Sequence, residues 1–336
     1  MNRTVFGLWK DLSCCTLIFA AGCSSSTPGV MTPLGAGPKL TVEEVLSRKL
    51  ADDDALLIGA GDIVRCGRSS QPARDTAAVI KKFPSARVVT LGDNVYRNGT
   101  KAEFDDCYEP TWGGFKDRTW PSPGNHDYGP YSVHPRHNAD PYFEYFGTNA
   151  GDKGKGFYSH DLGSWHIVSL NSMADQRGAP SMNDQLQWLK NDLAHNQQPC
   201  ILAFWHHPLF SSGDEHGDQD NDPGRSMGPL WAVLLDHDAD VILNGHDHHY
   251  ERFALQDSQI PPQPTPDGIR ELIIGTGGGE ERGLGIIKDN SEVQLPHVFG
   301  VVLMTLHRDS YDWDFIRADG RVVDSSSFSS GPTACH

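Results

Sequence analysis

From about residue 55 to residue 316 the chain alternates short apolar runs with abrupt polar loops. ALLIGAGD (55–62), ARVVTLGD (86–93), CILAFWHHP (200–208) and ADVILNGHDHH (239–249) are too short and too apolar for surface helices, which predicts buried strands. RELIIGTGGG (270–279) and HVFGVVLMTLHRDSYDWDFI (297–316) add β structure, and GFYSHDLGSWHIVSLNS (156–172) predicts a hairpin turning near Leu162 and Gly163. The clearest helix is SMNDQLQWLKNDLAH (181–195). Ser181 is an N-cap candidate with Asp184 three residues on, and Leu186, Leu189 and Leu193 share one face. A second helix is expected over residues 73–83. Strands alternating with helices predict an α/β layered fold.

With 336 residues the chain has room for one large domain or two small ones. Its 38% hydrophobic and 21% charged residues, with 35 Gly and 22 Pro, suit a loop-rich globular protein and exclude a disordered or fibrous one. The N-terminus differs. Arg3 and Lys10 precede LSCCTLIFAAGC (12–23), which resembles a bacterial secretory signal ending in a lipobox, with Cys23 as the lipidated residue. A plainly cleaved signal is the alternative; the run is too short to span a bilayer. We therefore divide the chain into a signal (1–23), a flexible tether and lead-in (24–50), one folded domain (51–325) and a C-terminal tail (326–336). The expected location is the cell envelope as a lipoprotein, otherwise the periplasm or the outside of the cell. Export permits disulfides among Cys66, Cys107, Cys200 and Cys335, and four cysteines allow three pairings. Cys66 and Cys107 both lie in polar loops and are the preferred pair, whereas Cys200 opens an apolar strand and reads as a buried thiol.

A formal charge of -16 argues against nucleic acid as a partner, and leaves membrane contact to the possible lipid anchor at Cys23. It also repels any phosphate substrate unless cations are concentrated in the site. Five loops offer ligands for such cations: GD (61–62), GDNVY (92–96), GNHD (124–127), WHH (205–207) and GHDHH (245–249). Each follows an apolar run. In open α/β sheets ligands bind beyond the carboxyl ends of the strands, so the five loops are expected to gather Asp62, Asp93, Tyr96, Asn125, His206, His246 and His248. Carboxylates with imidazoles suit transition metals better than the all-oxygen cages of calcium. One such loop alone is an ordinary polar turn; five in one chain are a constellation.

The ordered set GD…GDNVY…GNHD…WHH…GHDH resembles the calcineurin-like metallophosphoesterases and, through Tyr96 in the pattern D-x-x-Y from Asp93, their purple acid phosphatase branch. The resemblance runs from about Leu57 to Phe253, with weaker support to about residue 325. It implies a four-layer αββα sandwich, two mixed β-sheets flanked by helices, with two metals at one edge. Asp62, Tyr96 and His248 would hold the first metal, typically Fe(III). Asn125, His206 and His246 would hold the second, typically Fe, Zn or Mn, and Asp93 would bridge them. The chain departs from the family at GDIVRCG, where many members have a glycine soon after the aspartate. The large N-terminal β-sandwich of plant members is also expected to be absent, since few residues precede the first predicted strand.

The implied activity is hydrolysis of phosphate monoesters, with a metal-activated hydroxide attacking phosphorus in line. His126, beside Asn125, is the candidate proton donor to the leaving group, and Asp127 is expected to orient it. His216, in the loop SSGDEHGDQDNDPGR, and His207, beside His206, are candidate substrate contacts, with His249 a weaker one. The same metal core would serve a phosphodiesterase or nucleotidase, and a non-catalytic surface binding protein is a third reading that the complete ligand set disfavours. Asp218, Asp220 and Asp222 read as a solvated acidic loop. GTGGGE (275–280) lacks the last glycine of a dinucleotide fingerprint and is expected to turn or to pass close to the site. Trp112, Phe115, Trp120, Tyr128 and Tyr131 suit either a pocket lining or a core, and His134 and His137 read as loop residues. Sequence leaves the natural substrate and the oligomeric state open.

Overall fold

The structure is a computed structural model that describes residues 40–129, 138–214, 223–329 and 331–336. The predicted runs become the strands Ala55–Ala60, Arg87–Leu91, Cys200–Trp205 and Val241–Asn244. Their apolar continuity has a geometric cause. Along Cys200–Trp205, Cys200, Leu202 and Phe204 join one hydrophobic core, while Ile201, Ala203 and Trp205 join a second. Successive side chains leave opposite faces of a strand, so a strand covered on both sides has no polar face to show.

Two sheets carry these strands. The first has the order Leu40–Thr41, Arg321–Ser325, Ser310–Arg317, Gly300–Leu306, Ala55–Ala60, Arg87–Leu91, Thr119–Ser122, with Thr333–Ala334 also pairing on Ser310–Arg317. The second has the order Ser291–Leu295, Tyr250–Gln256, Ile269–Ile274, Val241–Asn244, Cys200–Trp205, Trp165–Ser169, Tyr158–Leu162. Each contains a parallel block extended by antiparallel strands. The core between the sheets draws Leu57 and Val89 from the first and Leu202, Leu243 and Ile274 from the second. Helices Met182–His195 and Gly228–Leu235 cover the far side of the second sheet through Leu189, Leu193, Leu230 and Trp231. Helix Gln71–Ile80 packs near Gly300–Leu306 through Ala73, Ala77 and Ile80. The layered αββα fold implied by the resemblance is the fold observed.

Local signals fare unevenly. Ser181 caps its helix by accepting the Asp184 N–H, and the hairpin closes on the Leu162–Trp165 pair. The helix expected over 73–83 runs from Gln71 to Ile80 instead. Pro72 fits its first turn, and Pro84 disfavours helical backbone at Phe83. The lead-in is not all tether: Leu40–Thr41 pairs with Arg321–Val322, and Thr41 forms a capping box with Glu44 on helix Val42–Leu46. Elements of two and five residues are too short to show a period. The tail likewise carries the turn Ser326–Phe328 and the strand Thr333–Ala334.

Cys66 and Cys107 form a disulfide with Cα atoms 5.7 Å apart. Cys200 is not a buried thiol but is bonded to Cys335, with Cα atoms 5.5 Å apart across 135 positions of sequence. The bond fastens the C-terminus to the second sheet, where the His336 N–H also donates to Asp240 at 2.9 Å. Among the described residues no helix is long and apolar enough to cross a membrane.

Candidate metal centre

The carboxyl ends of the parallel strands from both sheets meet. Gly61 N–H donates to the Ile274 carbonyl across the sheets at 2.8 Å, Asp62 N–H to Gly92 at 3.0 Å, and Gly245 N–H to His206 at 3.0 Å. The crowding explains the glycines that precede the polar residues. A Cβ on Gly124 would lie 2.2 Å from Asp93 Oδ1, and one on Gly245 would lie 2.5 Å from the Leu91 carbonyl oxygen. Asp62, Asp93 and His246 adopt positive φ of 60°, 48° and 70°. L-residues rarely take this conformation, and it clusters where a site over-determines the backbone.

The seven predicted side chains divide into two groups. In the first, the Tyr96 O–H donates to Asp62 in a very short bond, His248 Nε2 lies 2.9 Å from that hydroxyl, and His248 Nε2 is 3.2 Å from Asp62 Oδ1. In the second, His206 Nε2 lies 3.1 Å from Asn125 Oδ1, 3.2 Å from His246 Nδ1 and 3.3 Å from Asp93 Oδ2. Asp62, Asp93 and His206 offer ligand atoms within 4.8 Å of one another, which links the groups. His206, His207 and His246 form a second such trio within the site; a third, Cys200, Asp240 and Cys335, is no metal site because its sulfurs are already bonded to each other.

The donor set fits a cation. His206 Nδ1–H donates to the Leu91 carbonyl at 2.7 Å, so in the neutral ring Nε2 is a bare lone pair facing two oxygen lone pairs. Acceptors facing acceptors in a buried site are unstable without positive charge between them. A proton supplies part of it: against the desolvation of burial, the Asp93 carboxylate draws the His206 imidazole up to about 9. Burial likewise opposes ionisation of Asp93, yet His206 and His126 hold its carboxyl well below the usual range. Burial and the Asp62 and Asp93 charges push the Tyr96 phenol well above its ordinary value, so a phenolate there requires a neighbouring cation.

The residues expected to act on substrate are placed less uniformly. His126 lines the cleft with its side chain 31% exposed; its Nδ1–H donates to the Arg97 carbonyl at 2.7 Å, and its Nε2 lies 3.9 Å from Asp93 Oδ2. Asp127 does not orient it. That carboxylate is fully buried and accepts from Gly124 N–H at 2.8 Å and Asn94 Nδ2 at 3.0 Å, closing the GNHD turn onto the GDN loop. Burial and Asp93 push its carboxyl up to about 7. His207 is 1% exposed, bonded to Ser172 at 2.8 Å and packed 4.2 Å from the His246 ring, so it supports the donor set from behind. His249 is buried against Glu251. His216, with Asp218, Asp220, Asp222, His134, His137 and Tyr131, lies outside the described residues.

Other cleft residues escaped the sequence reading. The cleft, about 250 Å³, is also lined by Arg65, Arg97, Asp247, Glu280 and Arg282. Arg177, 6% exposed, donates to the Asn125 carbonyl at 2.6 Å and fixes the GNHD loop. No short motif announces these arginines, although Arg65 stands in the GDIVRCG departure. GTGGGE does pass the site: Gly279 N–H donates to the Asp62 carbonyl at 2.8 Å, and a Cβ there would meet the Tyr96 ring at 2.8 Å. Trp112, Phe115, Trp120 and Tyr128 are buried core residues, not pocket walls.

The family model for calcineurin-like phosphoesterases matches residues 39–250. The chain belongs to that family. Within it, this calcineurin-like phosphoesterase is similar to the purple acid phosphatases. It is 29% identical to purple acid phosphatase 22 of Arabidopsis thaliana over 199 residues, 53% of this chain and 42% of the relative. Against purple acid phosphatase 15 of the same plant it is 30% identical over 139 residues, 40% of this chain and 24% of the relative. It thus spans less than half the length of these curated relatives. A solved purple acid phosphatase from yellow lupin seeds superposes with a TM-score of 0.65 at 19% identity, over 81% of this chain and 53% of the lupin chain.

Proposed function

We propose that this calcineurin-like phosphoesterase is an exported, dinuclear phosphatase acting on phosphate monoesters. The observation that carries the reading is the division of seven donors, six of them buried, into two groups linked through Asp93, in one cleft. Asp62, Tyr96 and His248 would hold one metal, with Fe(III) matched to the phenol. Asn125, His206 and His246 would hold Fe, Zn or Mn, and Asp93 would serve both. When bound, the two metals supply Lewis-acid charge for the phosphoryl oxygens and make water ionise near neutral pH. The tyrosine and the purple acid phosphatase relatives support the ferric assignment. Two disulfides and the signal-like N-terminus support export, since disulfides persist in oxidising compartments.

The chain's own residues would do the rest. The Arg97 carbonyl fixes the His126 tautomer, leaving Nε2 toward the donor set. A protonated His126 then gives its Nε2 proton to the leaving oxygen. Arg177 and Asp127 hold the GNHD loop so that His126 and Asn125 keep their places. His126→Ala should lower kcat about 10²–10⁴-fold with metal content unchanged; metal lost from that variant contradicts the role. The broader test compares p-nitrophenyl phosphate with bis-p-nitrophenyl phosphate after addition of iron, zinc or manganese, with Asp93→Ala as the blank. Monoester turnover lost in the blank supports the proposal, whereas a diester preference replaces it with the phosphodiesterase reading.

A further inference from the structure

Arginine is the other recurring residue of the cleft. Arg65, Arg97 and Arg282 line it beside the donor set. Arg65 is 9% exposed and reaches Glu280 at 2.6 Å through Nη1, while Arg282 and Arg68 meet the same carboxylate at 3.2 and 3.1 Å. Three guanidiniums therefore share one carboxylate, and Arg65 engages it through a single nitrogen. A guanidinium presents five N–H donors in a fixed fork; among the described residues Glu280 engages only Nη1 of Arg65 and anchors it in the cleft wall. Arg97 is exposed, and among the described residues only its backbone is engaged, by His126 and Glu103.

A protein of formal charge -16 that gathers guanidiniums in the cleft of its metal donors is built to select anions there. The scissile phosphate would already be faced by two metals and His126, which leaves the arginines surplus to it. We propose that Arg65 and Arg97 form a subsite for a second phosphate group. The preferred substrate is then a compact phosphoester that carries a further phosphate beside the scissile one, a reading that rests on the phosphoesterase proposal. Planar guanidinium forks match phosphate oxygens bidentately, which a lysine does not. Glu280 is the positioning residue that holds Arg65 in the wall.

The test uses the full metal-loaded protein and two non-hydrolysable probes, propylphosphonate and propane-1,3-diphosphonate, titrated calorimetrically into wild type and Arg97→Gln. The substitution spares the backbone carbonyl that holds His126, and a thermal melt checks the fold. Wild type should bind the diphosphonate about tenfold or more tighter, the range for a hydrogen bond to a charged group, and Arg97→Gln should lose most of that ratio. A wild-type ratio near one overturns the subsite, as does an equal loss for both probes, which would place Arg97 on the scissile phosphate. Hydrolysis of p-nitrophenyl phosphate is followed in parallel. Its absence with the binding ratio intact would remove the phosphoesterase reading and leave the subsite standing.

Discussion

Asp93 and Asp324 are both buried carboxylates, and they are buried for different reasons. Asp324 is surrounded by donors that the chain supplies: the Tyr250 O–H at 2.7 Å, Arg252 Nε at 2.8 Å and Trp313 Nε1 at 3.0 Å. Asp93 accepts the His126 N–H at 2.7 Å, but its other oxygen faces His206 Nε2 at 3.3 Å in a group rich in lone pairs. A carboxylate buried for structure arrives with its hydrogen bonds complete. One whose side-chain partners are acceptors in their neutral forms needs added positive charge, a proton on His206 or a bound cation. The contrast separates a candidate metal centre from an ordinary buried polar cluster.

The sharpest way to break the comparison is to remove each carboxylate. Asp93→Ala should abolish turnover and also abolish the metal-dependent rise in Tm. In wild type that rise corresponds to about 2.7 kcal/mol at a metal concentration 100 times Kd. Melts with and without added metal read this directly, and a variant still stabilised by metal would show that Asp93 does not hold it. Asp324→Ala should do the reverse. Losing it strips Arg252 of its buried partner and costs about 3–5 kcal/mol of stability, while turnover per folded molecule persists. Denaturant unfolding alongside the phosphatase assay checks both halves.

The same contrast explains what could be read from sequence. Asp62, Asp93, Asn125, His206 and His246 each end an apolar run and follow a glycine or a tryptophan, so strand, turn and ligand are contiguous and visible in one short window. Residues that complete the site from a distance leave no such mark. Arg177 reaches Asn125 from 52 positions away, and Glu280 reaches Arg65 from 215. Asp127 shows the opposite error: adjacency to His126 suggested a partnership that the turn geometry gives to Gly124 and Asn94. The Cys200–Cys335 bond escaped for the same reason as the arginines, because nothing local says where a C-terminal segment returns.

A third buried arrangement sharpens the comparison at its weak end. His166 sits between Asp161 and Asp192, with Nδ1 and Nε2 each 2.8 Å from a carboxylate oxygen. Here both ring nitrogens can donate, so a protonated imidazole completes the cluster from within, as the donors do at Asp324. Burial lowers the imidazole pKa, but Asp192 and Asp161 outweigh it and leave the ring above its ordinary value. The stability it contributes is therefore complete below the unfolded value of about 6.5 and is lost as pH rises through the higher folded value. Solvent reaches Asp161, so the effect should not exceed about 1 kcal/mol. Melting wild type and His166→Gln from pH 5.5 to 8.5 should show a wild-type advantage at the acid end that shrinks toward the alkaline end. An advantage independent of pH would mean that His166 is held as a neutral ring and that the cluster is packing alone.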